Sequence, residues 1–244
     1  MREYQERIQR LIDEEKAWTS SPAAAQVYAR NHARRFDRTF DICCRLVSDP
    51  RAAVCDVGRS DFTRRLATRF ADVSSLGLAL AGDSGGHRES SEMRHVPHIV
   101  CDLNASADTA NWPAERSRFD LIVFAETIEH LHTPPEFALM MLGSLLKPGG
   151  LLLVTTPNAA GLSRRVRLLF GDHPYEKIRY FSHNPGHFRE YTRREMVEMG
   201  RTAGLEVREC RTINFYKSRW PPLNWLKWPA PLRDSMVVVY RLGD

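Results

Sequence analysis

No stretch of the chain approaches the ~20 consecutive apolar residues that a membrane-spanning helix requires, so a bundle of such helices is excluded. The opening segment, MREYQERIQRLIDEEK, is charged throughout and lacks the apolar core of a secretory leader; the expected compartment is the cytoplasm. Cysteine is scarce and scattered: Cys43, Cys44, Cys55, Cys101 and Cys210 form no CxxC pair and are odd in number. That argues against a disulfide framework or a thiolate zinc site, and Cys55 and Cys101 read as small buried residues in strand-like runs. Charge of one sign is also not dominant. The formal net charge of +5 suits acidic partners such as phosphates, nucleic acid or an anionic membrane surface, and requires none of them. There is no internal repeat and no GxGxxG run. What remains is ordinary: 244 residues, 43% hydrophobic and 27% charged, enough for one α/β domain with its own core.

Residues 1–48 read as helical, with Tyr4, Ile8 and Leu11 and then Phe36, Phe40, Ile42 and Leu46 at helical spacing. Ser20, Ser21 and Pro22 mark a break and a new helix start. Strand and helix patterns then alternate. Strands are predicted over Ala52–Val57, Val73–Leu80, Pro97–Asp102, Asp120–Ala125, Leu151–Thr155, Leu205–Phe215 and Met236–Tyr240. Helices are predicted over Phe62–Phe70, Pro134–Leu146, Gly161–Phe170 and Thr192–Ala203, the last closed by Gly204. Lys147–Gly150 reads as a turn and residues 81–96 as a loop. Alternation of this kind implies a doubly wound, mostly parallel sheet with helices on both faces. The expected division is an N-terminal helical cap, residues 1–48, and a domain over 49–244.

The first strand ends in Asp56-Val57-Gly58-Arg59-Ser60, a glycine turn that brings backbone close to a ligand at the carboxyl edge of the sheet. Later come Phe119-Asp120-Leu121-Ile122-Val123-Phe124-Ala125-Glu126-Thr127-Ile128-Glu129-His130-Leu131 and Leu146-Lys147-Pro148-Gly149-Gly150-Leu151 through Asn158. Together these resemble the class I S-adenosylmethionine (SAM)-dependent methyltransferases, over about Ala52 to Val207. The resemblance implies a Rossmann-like seven-stranded sheet whose last strand is antiparallel, with Met236–Tyr240 as that strand. It also implies SAM as methyl donor. Asp56, Gly58 and Ser60 would line its methionine end, Asp102 and Leu103 its adenine, and Glu126 its sulfonium. Two departures stand out. Ser60 and Phe62 occupy positions where the family prefers glycine, and Ala79 stands where an acid usually meets the ribose hydroxyls, with Asp83 the nearest substitute.

Glu126, Glu129 and His130 are spaced to share one face if they open a helix. With His187 they make a set able to hold Mg²⁺ or Mn²⁺. ExxEH followed by a later histidine resembles the small-RNA 2'-O-methyltransferases, and ExxEH alone the ubiquinone-pathway O-methyltransferases. Such an ion would lower the pKa of an acceptor hydroxyl. His130, His187 and Glu126 are the candidate catalytic groups, the histidines as general bases. Candidates for acceptor contact are Tyr28, His32, Tyr175, Tyr180, Phe181, His183, His187, Arg189 and Tyr191, with core or lid packing the default for each aromatic; Arg164, Arg165 and Arg167 form a basic cluster able to meet phosphate, with a solvated helix face as its default. Residues 215–232 interleave tryptophan, proline and basic residues, as a hairpin extension packed over the sheet edge, a segment resting on a membrane or a platform for stacking single-stranded nucleic acid would. The leading expectation is methyl transfer to oxygen on a small or lipid- or glycan-linked acceptor. RNA 2'-O-methylation and a non-catalytic binding protein with a degenerate donor site are the two rivals.

Overall fold

The computed structural model describes residues 2–19, 22–80, 93–179, 186–215 and 229–243. Two helices come first, α1 (Arg2–Thr19) and α2 (Pro22–Leu46). There follow β1 (Ala53–Val57), α3 (Asp61–Ala67), β2 (Asp72–Gly77), β3 (His98–Val100), β4 (Phe119–Ala125), α4 (Pro135–Leu145), β5 (Leu146–Pro157), α5 (Leu162–Leu169), α6 (Arg193–Thr202), β6 (Glu206–Ile213) and β7 (Ser235–Arg241). The seven strands form one sheet in the order β3-β2-β1-β4-β5-β7-β6. β1 to β5 run parallel, and β7 lies antiparallel between β5 and β6. This is the expected doubly wound sheet with an antiparallel last strand.

The central strands are buried on both faces, so apolar residues run nearly without a gap. Leu121 and Val123 of β4 pack with Ile42 and Cys43 of α2 and with Phe62 and Leu66 of α3. Ile122 and Phe124, pointing the other way, pack with Leu139 and Leu142 of α4 and Met196 of α6. Cys55 and Cys101 are buried, as their apolar context predicts.

Lys147–Gly150 departs from the expected turn. The segment belongs to β5, and Phe119 of β4 faces Leu146 while Leu121 faces Leu151, so the four residues bulge out of the ladder. Gly149 has φ 72°, and a Cβ on Gly150 would sit 2.8 Å from the Lys147 carbonyl oxygen. Lys147 Nζ donates to Asp120 Oδ2 at 2.7 Å, and the same oxygen accepts from the Ala53 amide at 2.8 Å. Two residues of the motif therefore staple β1, β4 and β5 at the end opposite the site.

Tyr240 is fully buried, and its hydroxyl donates to the Met196 carbonyl at 2.6 Å. Its ring fills the space beside Gly200, where a Cβ would lie 2.1 Å from a ring carbon. α6 is closed at its start by a reciprocal cap between Thr192 and Glu195. Among the described residues no helix is long and apolar enough to cross a membrane.

Candidate functional site

The carboxyl ends of β1, β4 and β5 meet at one rim. On the β1 side, Gly58 adopts φ 94° and its amide bonds the Leu76 carbonyl at 2.8 Å. Ser60 and Phe62, the two departures from glycine, each have a structural task. Ser60 is the N-cap of α3, forming a reciprocal box with Thr63. Phe62 is buried and packs on Phe36 of α2, ring centroids 5.7 Å apart. The turn thus exchanges backbone freedom for a helix cap and an anchor for α2. Asp56 is buried and accepts from Thr63 Oγ1 at 2.6 Å. Burial raises its pKa to about 8, against the lowering effects of Thr63 and Arg35.

Glu126 follows β4 in the left-handed region at φ 50°, a conformation that carries strain outside glycine. It does not open a helix; the short helical turn begins at Ile128. Glu126 Oε1 accepts from Thr155 Oγ1 at 2.9 Å, and Oε2 lies 3.4 Å from Arg35 Nη1 in a largely buried ion pair. Glu129 is held by the next residue, Thr156, whose hydroxyl donates to Oε2 at 3.1 Å. The two carboxylates are thus held by different hydroxyls, yet lie close enough for the charge of Glu126 to act on Glu129. The expectation that Glu126, Glu129 and His130 share one face does not hold, and Glu126 is absent from the cluster of metal-competent groups.

That cluster is Glu129, His130 and His187, with one ligand atom of each within 4.8 Å of the others. The two rings meet edge to face, centroids 4.9 Å apart. Glu129 is fully buried, and its Oε1 has no hydrogen-bond partner among the described residues. Burial, then the charge of Glu126, raises its pKa well above the usual carboxylate range. His130 Nδ1 lies 2.8 Å from the Gly186 carbonyl, so it carries the hydrogen and the neutral ring keeps its lone pair on Nε2. Burial, then His187, lowers its pKa to about 4. His187 Nδ1 lies 3.1 Å from Glu190 Oε1 and Nε2 lies 3.1 Å from Glu176 Oε2. Glu190 is itself paired with Arg164, and Glu176 with Arg179.

Other sequence candidates scatter. Asp102 is exposed and caps the short turn at Leu103–Ala105 through the Asn104 amide, while Leu103 is buried beside the core. Ala79 is exposed beyond β2 and offers no acceptor. His32 is half-buried, and burial followed by Arg35 lowers its pKa to about 4. Tyr175 is half-buried against His173, with ring centroids 5.4 Å apart. Tyr191 is core, bridging Asn158, and Arg189 is exposed and paired with Glu195. Arg164 turns inward to Glu190, so the basic trio is not one patch. Asp83, the side chain of Tyr28, Tyr180, Phe181, His183 and residues 216–228 lie outside the described residues. Arg35, Glu176 and Glu190 were not singled out from sequence.

A family described as a methyltransferase domain matches residues 40–210. The chain belongs to that family, among the class I SAM-dependent methyltransferases, and SAM is its cofactor. No curated protein matches the sequence. Three solved structures illustrate the likeness of fold. A chain from the complex of the Haloferax volcanii Trm112 methyltransferase activator with its methyltransferase is 16% identical over 93% of this chain and 97% of that one, with a TM-score of 0.56. A SAM-dependent methyltransferase of Thermotoga maritima is 17% identical over 97% and 98%, TM-score 0.54. The 1,6-didemethyltoxoflavin-N1-methyltransferase of Burkholderia thailandensis, with S-adenosylhomocysteine bound, is 16% identical over 98% and 87%, TM-score 0.51.

The residues present suit the donor's amino-acid and sulfonium end. At one rim Glu126 supplies negative charge, Arg35 positive charge and buried Asp56 a hydrogen-bonding carboxyl group, which suits a group bearing two cations and a carboxylate. Ala79, exposed beyond β2, offers no side-chain acceptor for a ribose hydroxyl.

Proposed function

We propose that the protein methylates an oxygen on a small or lipid- or glycan-linked acceptor, held against His130 and His187 beside the donor rim. When bound, SAM supplies the electrophilic methyl group. Asp56, Gly58, Ser60 and Glu126 hold its methionine end, with Asp102 and Leu103 beside the adenine, and the helices of residues 1–48 cap the site. The observation that carries this reading is the imidazole pair itself. His130 is a neutral ring whose Nε2 lone pair can accept a hydrogen bond from an acceptor hydroxyl and orient it. His187 serves as base where the acceptor hydroxyl takes the place of Glu176 at Nε2: that nitrogen accepts the proton while Glu190 holds the hydrogen on Nδ1. Glu126, engaged by Thr155 and Arg35, is the weaker candidate for proton transfer.

A radiolabelled-methyl transfer assay over hydroxylated acceptors, paired with calorimetry of S-adenosylhomocysteine, tests the reading. His187→Asn is expected to cut transfer by roughly 10²-fold or more, the usual share of a positioned base, with donor affinity unchanged. Equal transfer by the variant overturns it.

A second reading adds a divalent ion. The fully buried Glu129 Oε1, which has no hydrogen-bond partner among the described residues and lies 3.9 Å from His187 Nε2, suits Mg²⁺ or Mn²⁺. These three residues would hold it, and it would acidify the acceptor hydroxyl. Calorimetric titration of the apo protein with Mn²⁺ should then show binding that Glu129→Gln removes. No heat with wild type excludes it.

A further inference from the structure

α5 lies on the surface with none of its residues buried. Its last turn and C-cap present Leu168, Leu169 and Phe170 in a row, 54%, 81% and 78% exposed. Three consecutive large apolar side chains in water mark a surface that something else covers. Arg165 and Arg167 are exposed on the same helix. Arg165 Nε donates to the Ala160 carbonyl at 2.6 Å and Arg167 Nη1 to the Pro174 carbonyl at 3.1 Å. Both partners are uncharged, so neither positive charge is cancelled by them. Asp172, just past the end of the helix, is the acid beside them.

We propose that this tip is a docking surface for an anionic lipid bilayer. Leu168, Leu169 and Phe170 enter the headgroup boundary, while Arg165 and Arg167 meet lipid phosphates. The charge pattern favours lipid over a second copy of the chain, since a symmetric pairing would set arginine against arginine. α5 starts a few residues past the end of β5 and is tied through Arg164 to Glu190, the partner of His187. A docked tip would therefore bring the histidine cluster close to the bilayer. The proposal does not depend on which atom is methylated.

Sedimentation of the full chain with phosphatidylcholine vesicles, with and without phosphatidylglycerol, tests it. Wild type is expected to bind the mixed vesicles and not phosphatidylcholine alone. Leu169→Ser with Phe170→Ser should abolish binding. Arg165→Gln with Arg167→Gln should weaken it roughly thirtyfold, the effect of removing two charges near an anionic surface. Both double variants should keep wild-type melting temperature and S-adenosylhomocysteine affinity, because the residues lie outside core and donor rim. Wild type that stays in solution overturns the proposal, as does undiminished binding by the serine variant. A wild-type dimer that the serine variant converts to monomer, without vesicle binding, overturns it in favour of a second copy.

Discussion

The two sides of the rim are built on opposite principles. At the β1–α3 corner the polar groups are satisfied locally: Ser60 and Thr63 cap each other, and Thr63 serves Asp56 seven residues away. At the histidine cluster most partners come from further along the chain. Gly186 reaches His130 and Glu176 reaches His187, with only Glu190, three residues on, supplied locally; Glu129 Oε1 has no hydrogen-bond partner among the described residues, with His187 Nε2 3.9 Å away. A corner that satisfies itself is a platform. A cluster left incomplete around a fully buried carboxylate is where an incoming group gains most, because an unsatisfied buried acceptor is costly.

The sharpest test of this contrast is His187→Asn, which should remove transfer and leave donor binding intact. A loss of both would merge the two regions into one. Smaller in size is Ala79→Asp, which restores an acceptor beyond β2. It should tighten S-adenosylhomocysteine binding about tenfold, the effect of a charge-assisted hydrogen bond, and calorimetry would read it. No gain would mean that the ribose is held elsewhere. The smallest effect is on stability. The folded-state pKa of Asp56 is raised to about 8, so the folded chain binds this proton more tightly than the unfolded chain does. Its contribution is present at low pH and is lost as pH rises from about 4 through 8. The melting-temperature difference between wild type and Asp56→Asn should shift against wild type across that window. A flat difference would show that Arg35 and Thr63 already keep the carboxylate ionised.

The alternation of strands and helices was legible because each element is defined by local periodicity, and the strands placed over Asp120–Ala125 and Met236–Tyr240 lie within β4 and β7. Lys147–Gly150 was misread as a turn because its role depends on pairing with Phe119, which local sequence does not encode. The helix expected through Glu126 failed for a similar reason: the residue takes a left-handed conformation that only its hold on Thr155 and Arg35 explains. Arg35 had a usable signal. It shares a helical stripe with buried Thr39 and Ile42, which sets it apart from its exposed or half-exposed neighbours Arg34 and Arg38. Glu176 had none, since its meeting with His187 depends on how the segment after β5 folds back, whereas Glu190 stands only three residues after His187.

Thr155 and Thr156 act as a divider between the two chemistries, handing one acid to each side. A slip of β5 by a single residue against β4 would put Thr156 where Thr155 stands and Pro157 where Thr156 stands, giving Glu126 the wrong hydroxyl and Glu129 none. The bulge at Lys147–Gly150 pins that strand at its far end. Residues at the far end of the strand thereby set which threonine each carboxylate meets.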